Sequence, residues 1–139
     1  MEIKTVTAEN LGQLELFLRD LGASKESFRY FESRPLAIIR NHLVTFLGWV
    51  NDKPVAYGHL DPEDGIVWLG IAVAQSHKGH GYGNLMMQAL VEAARTSNIA
   101  EIYLTVDHEN ETAQYLYEKF GFKVEEDREN HKKYKLRIQ

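Results

Sequence analysis

The chain has 139 residues, a formal net charge of −4 at pH 7, 44% hydrophobic and 26% charged residues, and no cysteine. This length supports one domain, residues 1–139, with a real core, and the composition is ordinary for a soluble globular protein. Disulfides, thiolate metal ligands and a cysteine nucleophile are excluded, an acidic balance gives no electrostatic reason to bind nucleic acid, and no apolar run reaches the roughly eighteen residues of a membrane span.

In chain order, Met1-Glu2-Ile3-Lys4 lacks the apolar stretch of a signal peptide, so a cytoplasmic location is expected. Ile3 to Val6 reads as a first strand. Thr7 offers an N-cap, and Leu11, Leu14, Phe17, Leu18 and Leu21 form a helical stripe that ends at Gly22. Ser24 is placed to cap a second helix through Phe28 and Phe31, stopped by Pro35. Leu43 to Val50 is a strand, Asn51 to Pro54 a turn, Val55 to Leu60 the returning strand, Asp61 to Gly65 another turn, and Ile66 to Val73 a third strand. A helix from about Gly83 to Ser97 is expected to bury Leu85, Met86, Ala89, Leu90 and Ala93. Ile102 to Val106 is the next strand. Strand, helix and strand make a right-handed crossover, so the strands on either side of that helix run parallel. Phe122 to Val124 and Tyr134 to Ile138 close the chain as short strands, and the basic run His131 to Lys135 reads as a solvated strand edge. The fold class is α/β (α+β): a mixed, mostly antiparallel sheet of six to seven strands flanked by helices.

The densest chemical signal follows the third strand of the meander. Gly79, Gly81 and Gly83 alternate within Lys78-Gly-His-Gly-Tyr-Gly-Asn84 and lead straight into a helix. Backbone without Cβ atoms lets N–H groups close on a ligand, and the helix N-terminus adds free N–H groups and a positive dipole end. The residues read as a phosphate or pyrophosphate cradle. Gly83-Asn84-Leu85 stands where a Walker A loop needs Gly-Lys-Ser/Thr, and the dinucleotide fingerprint needs different glycine spacing in a first βαβ unit.

A second signal lies downstream. Ala113, Leu116, Tyr117 and Phe120 share one helix face, Asn110 is a good N-cap, Glu111 suits the first turn, and Gly121 is placed as the C′ residue.

Together, Lys78-x-x-Gly81-x-Gly83 and Asn110-x-x-Ala113-x-x-x-Tyr117-x-x-x-Gly121-Phe122 resemble the GNAT superfamily of acetyl-CoA-dependent N-acetyltransferases, over about Trp49 to Val124. Lys78 departs from the usual Arg or Gln; it offers a point charge in place of a planar fork. The resemblance implies a splayed parallel strand pair and acetyl-CoA as co-substrate. It implies cofactor contacts from Ile71, Ala72, Val73, Lys78, Gly79, His80, Gly81, Tyr82, Gly83, Asn84, Asn110 and Tyr117. It also makes Tyr117 the candidate acid for the leaving thiolate, with Tyr115 on a different helix face. The expected acceptor is the primary amine of a small molecule of amino sugar, amino acid or polyamine type; alternatives are a protein N-terminal or lysine acetyltransferase, or an acyl-CoA sensor without turnover. A homodimer is possible in such a family.

Acetyl transfer also needs a base, because an alkyl ammonium has no lone pair to attack with. Ile66 to Val73 carries no carboxylate. His59, on the neighbouring strand, titrates near neutrality and is the candidate base; Asp107 and His108 stand second. Arg29, Tyr30, Asp61 and Trp68 are candidate acceptor contacts, and Arg34 and His42 are placed to meet an acceptor carboxylate or phosphate. His77, His80 and His108 form no recognisable ligand spacing, so no metal is expected.

Overall fold

A computed structural model describes residues 1–139. Seven strands form one sheet in the order β1-β2-β3-β4-β5-β7-β6. The strands are β1 (Glu2–Thr5), β2 (Val44–Val50), β3 (Lys53–Glu63), β4 (Ile66–Val73), β5 (Glu101–Asp107), β6 (Lys123–Asp127) and β7 (His131–Arg137). Three α-helices accompany them: α1 (Leu11–Arg19), α2 (Tyr82–Thr96) and α3 (Glu111–Lys119). β2, β3 and β4 make the expected meander, and α2 carries the crossover to β5, which runs parallel to β4.

β3 is longer than its sequence suggests. Asp61 and Pro62 stay in the ladder opposite Trp68 and Val67, and the turn shrinks to Asp64 and Gly65, both at positive φ. Pro62 is tolerated because β2 ends opposite Leu60, so the missing N–H faces the side on which β3 has no partner. The basic run from His131 belongs to β7, an interior strand between β5 and β6, and is not a sheet edge. Its lysines are matched across the ladder: Lys135 lies 3.0 Å from Glu101, and Lys133 lies 3.7 Å from Glu125. These paired charges on an open sheet face hide the strand pattern in the sequence.

The two faces pack differently. On one, Met86, Met87, Leu90 and Ala94 of α2 are buried with Ala56, Leu60, Leu104 and Tyr117. Leu85, expected in this core, is exposed, because the buried stripe runs through Met86 and Met87. Close approach depends on Gly58, where a Cβ would lie 2.8 Å from Leu90 Cδ1 and Met86 Sδ. On the other face, Leu14 and Phe17 of α1 cover Leu47, Tyr57 and Ala72.

The expected second helix is absent. Residues 22–41 form three 3₁₀ turns, Gly22–Glu26, Tyr30–Glu32 and Leu36–Asn41. Side chains hold this segment to the sheet instead of an α-helical ladder. Ser24 is no N-cap; its hydroxyl donates to the Val73 carbonyl at 2.7 Å. Phe28 and Phe31 pack against Tyr57. The Tyr30 hydroxyl donates to Asp61 Oδ2 at 2.7 Å and sits 2.7 Å from His42 Nε2, whose Nδ1 lies 2.8 Å from Thr45 Oγ1. One proton arrangement satisfies the whole chain: Tyr30 gives its proton to Asp61, His42 Nε2–H gives to Tyr30, and Thr45 gives to His42 Nδ1. Beside it, the Tyr57 hydroxyl lies 2.6 Å from His59 Nδ1. Arg34 closes the cluster by stacking on the Tyr30 ring at 4.2 Å and pairing with Glu63 at 3.6 Å.

The His59 imidazole lies over Gly70, its partner across the ladder, where a Cβ would come within 2.4 Å of the ring. Gly70→Ala should therefore cost about 1–3 kcal/mol, the usual range for overpacking a filled site; urea unfolding measures this. A change below about 0.5 kcal/mol would show that the ring moves aside freely.

Burial holds the pKa of His59 well below the histidine value of 6.5 and lowers that of His42, despite the opposing pull of Asp61 on His42. As pH falls below 6.5, the unfolded chain takes up protons at both residues while the folded chain resists. Stability therefore falls on acidification, with each histidine contributing a slope approaching about 1.4 kcal/mol per pH unit. Urea midpoints between about pH 7.5 and pH 5.5 should show this loss, and a His42→Asn/His59→Gln variant should show a flatter dependence.

Candidate active site

The site begins where the parallel pair separates. β4 and β5 share one bridging pair, Trp68 and Tyr103, and then diverge. Backbone groups alternate direction along a strand. The Ala74 N–H donates to Val55 of β3 at 2.9 Å, so the polar groups of Ile71 and Val73 point the other way, into the opening. A cavity of about 490 Å³ fills it, lined on one wall by Ile71, Ala72 and Val73 and on the other by Thr105, Val106 and Asp107.

The glycine loop closes one end. Gly79 and Gly81 hold φ values of 84° and 80°, which side chains with a Cβ adopt at a cost. Gly81 is also the N-cap of α2 and supplies no capping side chain, so the N–H groups of the first turn keep their bonding capacity toward the cavity. The first intrahelical bond there runs from Leu85 N–H to the Gly81 carbonyl at 3.1 Å. Gly83 is less demanding, since a Cβ there would make ordinary contacts of 3.6 Å with Leu116 and 3.7 Å with Val73. Lys78, His77 and Lys119 add cations or potential cations to the cavity wall. With the bare N-terminus of a 15-residue helix, this end suits a multiply charged anion.

α3 forms the adjoining wall, its Lys119 Nζ donating to Asn84 Oδ1 at 2.9 Å. Asn110 lines the cavity while its Oδ1 accepts from the Ala113 N–H at 3.2 Å. Tyr117 is buried, packs against Phe122 and Tyr134, and reaches the cavity. Burial raises its pKa, so the phenol keeps its proton at neutral pH. Tyr115 is largely exposed and touches the cavity at its rim.

The 3₁₀ segment reaches the cavity through Ser24, Ser27, Phe28 and Arg29. Arg29 pairs with Asp107 through two contacts, Nη2 to Oδ1 at 3.2 Å and Nη1 to Oδ2 at 3.4 Å. Its Nη1 also donates to the Glu26 carbonyl. The hydrogen bond to Asp107 is the chief reason its pKa is raised.

Of the residues singled out in the sequence, the structure gathers Ile71, Ala72, Val73, Lys78, Gly79, Gly81, Tyr82, Gly83, Asn84, Asn110, Tyr117 and Arg29 around one cavity. His80 stands outside it, stacked on Tyr82 at 5.6 Å. His59, Tyr30 and Asp61 also stand apart, in the buried polar cluster behind β3. His59 is 2% exposed and held neutral by burial, so the geometry does not support its expected work as the base. Asp61 is a buried strand residue whose carboxylate accepts from Tyr30, and it lies outside the cavity lining. Trp68 marks the root of the opening, its ring 6.1 Å from Tyr103 and beneath the Lys133 ammonium. His42, His59 and Asp61 offer ligand atoms within 4.8 Å of one another, but the Tyr30 hydroxyl already stands between His42 and Asp61. Lys119 and Thr105 went unmarked in the sequence: a lysine in a last helical turn ordinarily answers the helix dipole, and a threonine in a strand is unremarked.

Residues 6–122 match the acetyltransferase (GNAT) family. GCN5-related N-acetyltransferase 6, chloroplastic, from Arabidopsis thaliana is 39% identical over an alignment of 109 residues that covers 76% of this chain. The match spans only 34% of the length of that relative. An N-acetyltransferase from Staphylococcus aureus Mu50 superposes with a TM-score of 0.79 at 15% identity, covering 99% of this chain and 98% of its own. The PaiA N-acetyltransferase of Thermoplasma acidophilum, solved with coenzyme A, gives 0.77 at 18% identity, covering 98% of each chain. A putative acetyltransferase from Salmonella typhimurium, solved with acetyl-CoA, gives 0.76 at 14% identity, covering 100% of this chain and 94% of its own. With the fold, the glycine loop and the matched residues in agreement, the chain belongs to the GNAT acetyltransferase family.

Proposed function

We propose that the chain transfers an acetyl group from acetyl-CoA to the primary amine of a small molecule. The observation that carries this reading is the opening between β4 and β5, with the Ile71 backbone groups and the Val73 N–H on its edge and the bare α2 N-terminus at its end. Such an opening suits an extended, amide-bearing arm with a pyrophosphate at one end. The PaiA structure with coenzyme A and the Salmonella structure with acetyl-CoA support the same reading by their shared fold.

In this reading, Gly79, Gly81 and the first turn of α2 hold the pyrophosphate, with Lys78 as a nearby point charge. Asn84, Asn110 and Tyr82 shape the channel. N–H groups on the β4 edge stabilise the oxyanion of the tetrahedral intermediate. Asp107 takes the place expected for His59: its carboxylate lies on the cavity wall and accepts the ammonium proton, directly or through water. The amine nitrogen forms the new C–N bond and sheds its second proton to solvent, the C–S bond breaks, and the Tyr117 hydroxyl gives its proton to the departing thiolate and recovers one from solvent. Tyr117 suits this role because burial keeps it protonated. His59, Tyr30, Asp61 and His42 position the segment that carries Arg29 and do not touch the reacting atoms.

Acetyl-CoA should raise the melting temperature, because a ligand that binds only the folded chain stabilises it by mass action, and Gly81→Val should abolish that shift while the chain stays folded. Equal shifts with NAD and acetyl-CoA would contradict the assignment. Tyr117→Phe should lower kcat by roughly 10²- to 10⁴-fold, the span of a lost general acid, with little change in acetyl-CoA affinity. Tyr115→Phe should keep most of the rate. Free-thiol release in the presence of an amine panel measures both, and binding without thiol release from any amine would mark the chain as an acyl-CoA sensor.

A further inference from the structure

The Arg29–Asp107 pair joins the 3₁₀ segment to the C-terminal end of β5 on the wall of the cavity. Its two contacts, 3.2 and 3.4 Å, are long for hydrogen bonds between full charges, which close to about 2.7–2.9 Å when unstrained. The guanidinium is separately tethered to the Glu26 carbonyl, so it keeps its position if the carboxylate finds another partner. Asp107 is the terminal residue of β5, and its place is set by the ladder with His131. The pair is therefore two anchored, opposite charges facing each other loosely on the cavity wall, their side chains 52% and 38% exposed.

A ligand that enters between them must replace what each charge loses. A simple amine would satisfy Asp107 and leave Arg29 without its carboxylate. A simple carboxylate would satisfy Arg29 and leave Asp107 with an unanswered charge. A molecule carrying an ammonium and a carboxylate on one carbon answers both with no change in net charge. We propose that the acceptor is a zwitterion of the α-amino-acid type, its carboxylate bound by Arg29 and its ammonium by Asp107.

This inference rests on the acetyl-transfer reading, and it deepens that reading by placing the attacking nitrogen beside the carboxylate that takes its proton. It also gives a route for product release. Acetylation turns the ammonium into a neutral amide, so Asp107 loses its partner and can close again on Arg29, displacing the product carboxylate.

The test uses the full chain with acetyl-CoA and measures thiol release with a panel of L-amino acids, each beside its carboxamide and its decarboxylated amine. At least one amino acid should exceed both of its matched analogues in kcat/KM by roughly tenfold or more, the worth of one charge-assisted hydrogen bond. Arg29→Gln should raise KM for that amino acid by a similar factor with a smaller effect on kcat, and should bring the ratio of amino acid to carboxamide close to one. Arg29→Glu should reverse the preference toward the decarboxylated amine. If carboxamides or simple amines are turned over as well as every amino acid, the zwitterion inference falls while acetyl transfer stands. If acetyl-CoA binds and no amine releases thiol, acetyl transfer falls and the inference falls with it.

Discussion

One interruption in the sheet sets everything else in place. β4 and β5 pair only at the Trp68–Tyr103 bridge, so two interior strands carry edge-like backbone groups inside the molecule. Buried backbone polar groups need partners, and an opening of this kind is stable only if something answers them. Ser24 answers the Val73 carbonyl from the 3₁₀ segment. The remaining groups face a cavity closed at one end by the α2 N-terminus and walled by α3. The cost of breaking the ladder is thus placed where backbone donors are useful for binding and for oxyanion stabilisation.

The 3₁₀ segment has to bridge this opening without a helix of its own. Its anchor is the buried cluster of Tyr30, His42, Thr45 and Asp61, with the Tyr57–His59 pair beside it. Net gain from each such bond is modest, about 1 kcal/mol, but an unmade one in a buried site costs more. The cluster therefore fixes the geometry of residues 28–42 more than it adds stability. Through Phe28 and Arg29 that geometry reaches the cavity, which links an acid-sensitive core to the cavity wall.

Much of this was legible in the sequence, for identifiable reasons. The meander, the crossover helix and the glycine loop rest on strong local signals: alternating apolar runs, turn residues at positive φ, and glycines before an amphipathic stripe. Gly81 illustrates a close match, since the residue placed at the phosphate cradle is the left-handed N-cap of α2. Local rules failed where tertiary contacts decide. Ser24 reads as a helix cap but serves as a donor to β4 across 49 residues. Asp61 before proline reads as a turn, yet the end of β2 frees Pro62 to continue the strand. His59 reads as a base because the sequence reports its strand but not its face; opposite Gly70 it turns into the core on the side away from α2. The Arg29–Asp107 pair joins residues 78 apart and leaves no local trace.

The central claim is that the opening between β4 and β5, together with the α2 N-terminus, is the acetyl-CoA site. Residue-resolved amide hydrogen exchange with and without acetyl-CoA tests it most directly. Binding should slow exchange at Ile71, Val73 and Tyr82 to Asn84, whose N–H groups face the cavity or head the helix, and leave the β1–β2 ladder unchanged. Saturating acetyl-CoA that protects amides elsewhere, and leaves these five residues exchanging as before, would contradict the account.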